Sequence, residues 1–139
     1  MKIGNTEVKF NFKALFRANA LLSTQADAKD GASQLWLQFV TGDENEAVYN
    51  ALRVLITDKK DSEIEDLIDS DYSDGDKFEE LYKNLQAELE KSSFFRRAAK
   101  HWTDLVEKNL KSLPQKTSEE KTQAKAIKDT LEEMKKSLS

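Results

Sequence analysis

The chain has 139 residues, no cysteine, one proline, one histidine and a net charge of -4, with 35% charged and 38% hydrophobic residues. That length suits one domain with a modest core, and the seven phenylalanines are too many for a disordered polar chain. The missing cysteine excludes disulfides, thiolate nucleophiles, iron–sulfur clusters and sulfur-ligated zinc. Lys13, Arg17 and Asn19 interrupt the apolar runs near the start, so neither a secretory leader nor a membrane span can be drawn there.

In chain order, Gly4-Asn5 is a turn signal, and alternation at Val8, Phe10 and Phe12 predicts a short strand or hairpin. Asn11 can cap a helix running to about Ser23, with Leu15, Phe16, Ala18 and Leu22 on its apolar stripe. The polar stretch from Thr24 to Ala32 predicts a loop. Ser33 caps a short apolar helix with Leu35, Trp36, Phe39 and Val40, stopped by Gly42 in the left-handed position. Asp43 with Glu46, then Ser62 with Glu65, then Asp76 with Glu79 each have capping-box spacing ahead of an apolar stripe.

Ser92 or Ser93 caps the next helix, which runs to about Leu113 and is broken by Pro114. Its stripe, from Phe95 through Ala99, Trp102, Leu105 and Val106 to Leu110, predicts the central core helix. Beyond Pro114, Thr117 and Glu120 open a charged helix with Ala124, Ile127, Leu131, Met134 and Leu138 spaced as a heptad seam. A stripe that narrow suits a coiled-coil partner or light docking rather than burial in a core. The expected architecture is all-α: a bundle of six or seven helices, a short N-terminal β element allowed, with a globular unit at 1–113 and a charged helix at 114–139.

Charge is segregated. Residues 1–57 carry six charges of each sign, 58–90 four basic against thirteen acidic, and 91–139 twelve basic against seven acidic. Such asymmetry can steer a partner or pair subunits head to tail, although solvated helix faces explain it as well.

No constellation carries catalysis. Asp69, Asp71, Ser73 and Glu80 occupy positions 1, 3, 5 and 12 of a calcium loop, but the glycine stands seventh where the loop needs it sixth. His101 has Asp104 nearby and no nucleophile. Arg96, Arg97, Lys100 and Lys108 beside Phe94 and Phe95 make a basic aromatic stretch, yet the acidic middle opposes a polyanion, so no nucleic acid is expected. The four glycines are scattered and form no phosphate loop. Neither cofactor nor metal is implied, and the sequence points to binding rather than an enzyme.

The ordered blocks Lys9-Phe10-Asn11-Phe12-Lys13-Ala14-Leu15-Phe16, Asp30-Gly31-Ala32-Ser33-Gln34-Leu35-Trp36-Leu37-Gln38-Phe39-Val40-Thr41-Gly42-Asp43, Ala51-Leu52-Arg53-Val54-Leu55 and Phe94-Phe95 to Trp102 resemble the tail assembly chaperones of long-tailed bacteriophages of Gram-positive hosts, close to those of lactococcal siphophages. The likeness covers most of residues 1–113 and transfers no active-site residue. It implies a small, mainly helical late protein of the host bacterial cytoplasm. Such a protein coats the tape measure protein before the tail tube forms and is absent from the finished virion. Self-association in multiple copies is implied, with the tail tube protein as a further partner and no membrane. A longer frameshifted form is common in such families. The candidate client surface comprises Trp36, Phe39, Phe94, Phe95 and Trp102, with Ile127, Leu131 and Met134 on the last helix. The alternative is a structural virion component, such as a tail completion or connector protein.

Overall fold

A computed structural model describes all of residues 1–139. Seven helices follow a two-stranded hairpin, the helical bundle with an N-terminal β element that the patterning predicts. Strands β1 (Lys2–Ile3) and β2 (Thr6–Glu7) pair antiparallel with Ile3 opposite Thr6. Gly4 opens the two-residue turn at φ +60°, a backbone state that glycine adopts without steric cost. The alternation at Val8, Phe10 and Phe12 does not make a strand. Val8 and Phe10 are buried in a segment without regular structure, and Phe12 starts a helix.

Helix α1 (Phe12–Leu22) is capped as expected, the Asn11 side chain accepting from the Ala14 N–H at 3.0 Å. Helix α2 (Gly31–Val40) begins ahead of the expected Ser33 cap. Its free N–H groups are satisfied by α1 instead: Gly31 donates to Ser23 Oγ at 2.8 Å and Ala32 to Asn19 Oδ1 at 2.9 Å. Ser33 therefore lies inside the helix, where its hydroxyl donates to the Ala98 carbonyl at 3.0 Å. Gly42, at φ +74°, closes α2 as expected. The Asp43 N–H reaches the Gln38 carbonyl at 3.1 Å and the Gly42 N–H that of Phe39 at 3.4 Å, a Schellman ending.

Helices α3 (Glu44–Leu55), α4 (Asp61–Asp71), α5 (Gly75–Lys91), α6 (Ser93–Leu110) and α7 (Ser118–Leu138) complete the chain. The caps of α6 and α7 fall at Ser92 and Thr117, as read from the sequence. Asp43 is the N-cap residue of α3, as read, while the caps of α4 and α5 differ. Asp43 makes no side-chain cap bond, α4 starts before Ser62 with Glu63 accepting from the Lys60 N–H, and α5 is capped by Asp74 through the Asp76 and Lys77 N–H groups. Only at α5 does an acidic residue two positions earlier, Asp74, take the cap.

Helix α2 is the central element: α1, α3, α6 and α7 all pack against it, and six of its ten residues are buried. Helix α6 also packs against four helices, α1, α2, α5 and α7, but only Phe95, Ala99 and Thr103 of its eighteen residues are buried, so the expectation that it is the central core helix is corrected. Helix α4 packs on α3, while α5 joins α3 to α6. One continuous cluster of 23 buried residues runs from Ile3 through Trp36, Leu52, Ile64 and Phe95 to Met134. Helix α7 therefore contributes to the same core as the rest, despite its narrow stripe. No helix is long and apolar enough to cross a membrane.

Candidate functional site

The eight residues named from the sequence as a contact surface divide into two groups. Trp36, Phe39, Phe95, Leu131 and Met134 are buried and build the core. Phe94 and Ile127 are exposed, and Trp102 is half-buried. The division has a physical cause: residues repeating at helical spacing point to the interior wherever a helix is enclosed, as α2 is on four sides.

The buried aromatics are held by polar contacts that fix α7. Trp36 donates from Nε1 to Ser137 Oγ at 2.8 Å. The Arg96 guanidinium lies 5.5 Å from the Trp36 ring and donates to the Leu138 carbonyl and the Glu90 carbonyl, each at 3.0 Å. One cation thus meets the C-terminal ends of α5 and α7, where the helix dipole favours positive charge. Tyr82 stacks on Phe39 at 5.3 Å and donates its hydroxyl to the Phe39 carbonyl at 2.9 Å. Burial, with Glu44 nearby, raises the Tyr82 pKa.

Two apolar surfaces remain accessible. The first is a groove of about 450 Å³ between α6 and α7, floored by Leu37 of α2. Its walls are Trp102, Val106 and Leu110 on one side and Ile127 and Ala126 on the other, with Asn109 and Thr130 as its polar residues. The heptad positions Leu131 and Met134 are buried and do not line the groove, whereas Ile127 is exposed in it.

The second is a row of three phenylalanine rings. Phe12 meets Phe16 edge-on at 4.8 Å and Phe94 at 5.1 Å, so the row bridges α1 and α6. Phe12, Phe16 and Phe94 are 51%, 59% and 42% exposed, the first two exceeding every other large apolar side chain. Of these, only Phe94 stands among the sequence-derived contact residues, and Phe16 was expected on the inner stripe. The available signal was the i, i+4 pair Phe12 and Phe16 on a helix whose opposite residues, Ala14 and Ala18, are small.

The other sequence candidates sit apart from both surfaces. Asp69 and Asp71 lie within the last turn of α4 and Asp74 caps α5, so the calcium-like spacing is divided between two helices. His101 and Asp104 are exposed on α6. A depression of about 310 Å³ on the outside of α5 is lined by charged and polar residues, among them the exposed pair Lys83 and Glu79 at 3.2 Å. No protein-family model, curated protein or solved structure matches the chain.

Proposed function

We propose that the chain is a bacteriophage tail assembly chaperone that keeps the tape measure protein soluble in the host cytoplasm until the tail tube encloses it. The observation that carries this reading is the α6–α7 groove, an apolar trough between two helices lined by Trp102, Val106, Leu110 and Ile127. A trough of that composition accepts the apolar stripe of a client helix, the mode in which amphipathic helices are commonly bound. The family resemblance in residues 1–113 supplies the client, a long helical protein with exposed apolar stripes. Several copies spaced along it would shield that length, and binding rather than catalysis is the proposed activity.

Co-expression with the tape measure protein of the same phage, followed by fractionation and pull-down, tests the proposal. The full chain should bring the client into the soluble fraction, and Val106→Asp with Ile127→Asp should leave it insoluble while the circular dichroism of the variant stays unchanged. A client that remains insoluble with the unaltered chain overturns the reading. Detection of the chain in purified virions by mass spectrometry would replace it with a structural role in the particle.

A further inference from the structure

The Phe12, Phe16 and Phe94 row is a surface separate from the groove, and its surroundings define what it can hold. The segments that supply its rings, residues 8–26 and 91–103, contain seven Lys or Arg and no Asp or Glu. Three of those cations are engaged elsewhere: Arg17 with the Arg53 carbonyl, Arg96 with the carbonyls of Leu138 and Glu90, and Lys91 with Glu88. Lys9, Lys13, Arg97 and Lys100 are exposed and take part in no ion pair. Arg97 follows Phe94 by one turn on the same face of α6, and Lys13 adjoins Phe12 on α1. Phe12 and Phe94 also stand in the first turns of their helices, so two positive helix ends meet at the row.

We propose that this face docks an amphipathic helix of another protein whose apolar stripe is bordered by Asp and Glu. Two ring-to-ring steps of 4.8 and 5.1 Å through Phe12 span at most about 10 Å, within the roughly two turns that an i, i+3 or i+4, i+7 stripe of a helix covers. Lys13 and Arg97, beside the row, then meet the carboxylates that flank the stripe, with Lys9 and Lys100 adding to the positive charge of the same segments. An extended polyanion is the poorer match. A bilayer or nucleic acid senses the field of the whole molecule, which has a net charge of -4 and thirteen acids within 58–90. A single docked helix senses charges within about one Debye length, roughly 8–10 Å in physiological salt. The proposal stands independently of the groove and of the tape measure reading.

The test uses the full chain and two fluorescent synthetic helices of about 18 residues, roughly five turns. Both carry the same leucine stripe; one is bordered by Glu, the other by Lys. By fluorescence anisotropy the Glu-bordered helix should bind at least about tenfold tighter, a difference that narrows between about 50 and about 300 mM NaCl. Phe12→Ser with Phe16→Ser should weaken it by about tenfold or more, and Lys13→Glu with Arg97→Glu should reverse the preference between the two helices. The circular dichroism of both variants should match that of the unaltered chain, since all four positions face outward.

Equal affinity for the two helices overturns the proposal, as does the absence of binding or binding that survives the serine variant. Two measurements expose other occupants. Flotation with phosphatidylglycerol vesicles that depends on the three rings would make the face a bilayer contact. Sedimentation of a dimer that the serine variant dissolves would make it a contact between copies. Either result replaces the amphipathic helix.

Discussion

Gly31 illustrates how one residue decides which side chains of a neighbouring helix reach solvent. A Cβ built at Gly31 would overlap the Ala18 carbonyl oxygen and lie 2.6 Å from Asn19 Cα, so α1 and α2 approach backbone to backbone. That approach requires the small face of α1, Ala14 and Ala18, to turn inward, and it leaves Phe12 and Phe16 on the outside. Sequence patterning sorts residues by hydrophobicity and places phenylalanine inside, which is why the aromatic row was not legible there. Gly31→Ala should therefore cost about 3 kcal/mol or more, the upper range for overpacking, as measured by urea denaturation. Gly42→Ala meets no neighbour and strains only its positive φ, so it should cost about 1 kcal/mol. Equal costs at the two positions would contradict the close crossing.

Asp30, next to Gly31, holds the loop between α1 and α2. Burial alone would raise its pKa, but hydrogen bonds from the Thr24 hydroxyl and from the Gln25 and Thr24 N–H groups outweigh that and keep it below the ordinary value of 3.8. A depressed folded pKa means that the unfolded chain binds the proton first, so this stabilisation is present above pH 3.8 and fades as pH falls through the folded value. Asp30→Asn should lower the urea midpoint at neutral pH, and the gap to the unaltered chain should close on acidification from about pH 5 downward. A gap that is constant across this range would show that the carboxylate charge has no role in the loop.

At the scale of elements, helix number and type were legible because each stripe repeats at helical spacing, whereas helix starts were legible at Asn11, Asp43, Ser92 and Thr117 and fell earlier than read at α2, α4 and α5. Asn11, Ser92 and Thr117 each accept a first-turn N–H of their own helix through the side-chain oxygen, as a cap read from the sequence should. Around Ser62 and Asp76 several acidic residues crowd the helix start, and the N-cap falls two residues earlier than read in each, at Lys60 and Asp74. Helix α4 has paid for this crowding in charge: Asp61, Glu63, Glu65, Asp66, Asp69 and Asp71 share its eleven residues without one cation, and Asp69 and Asp71 face the negative end of the helix dipole. Only Asp61 is paired, with Arg53 at 3.1 Å. Asp69→Lys would remove like-charge contacts with Glu65 and Asp66 and complement the dipole, so the protein should become more stable by about 0.5–1 kcal/mol at low salt. The gain should shrink in about 0.5 M NaCl, and a variant that is destabilised in low salt would show that the acidic face is held by contacts other than its solvent.

At the scale of the whole molecule, the chain closes on itself through its two ends. Phe10, near the start, packs edge-on against Phe95 at 5.1 Å, and its carbonyl accepts from Ser92 Oγ at 2.7 Å. Ser137 and Leu138, near the end, are tied to Trp36 and Arg96. The heptad seam of α7 looked too narrow for a core because the rule counts apolar residues on one helix alone. Here α2 and α6 supply the rest of the enclosure, and one large buried residue, Met134, with Leu138 packed beside it, joins α7 to the core. Met134→Ala should accordingly cost about 2–5 kcal/mol, as core truncations do. Removal of residues 114–139 should uncover Trp36, shift its emission to longer wavelength and lower the urea midpoint further than Met134→Ala does. In the full chain, far-ultraviolet circular dichroism and tryptophan fluorescence should trace one coincident transition. An early fluorescence transition, with most of the helical signal retained, would mean that α7 detaches on its own and that the groove it walls opens with it.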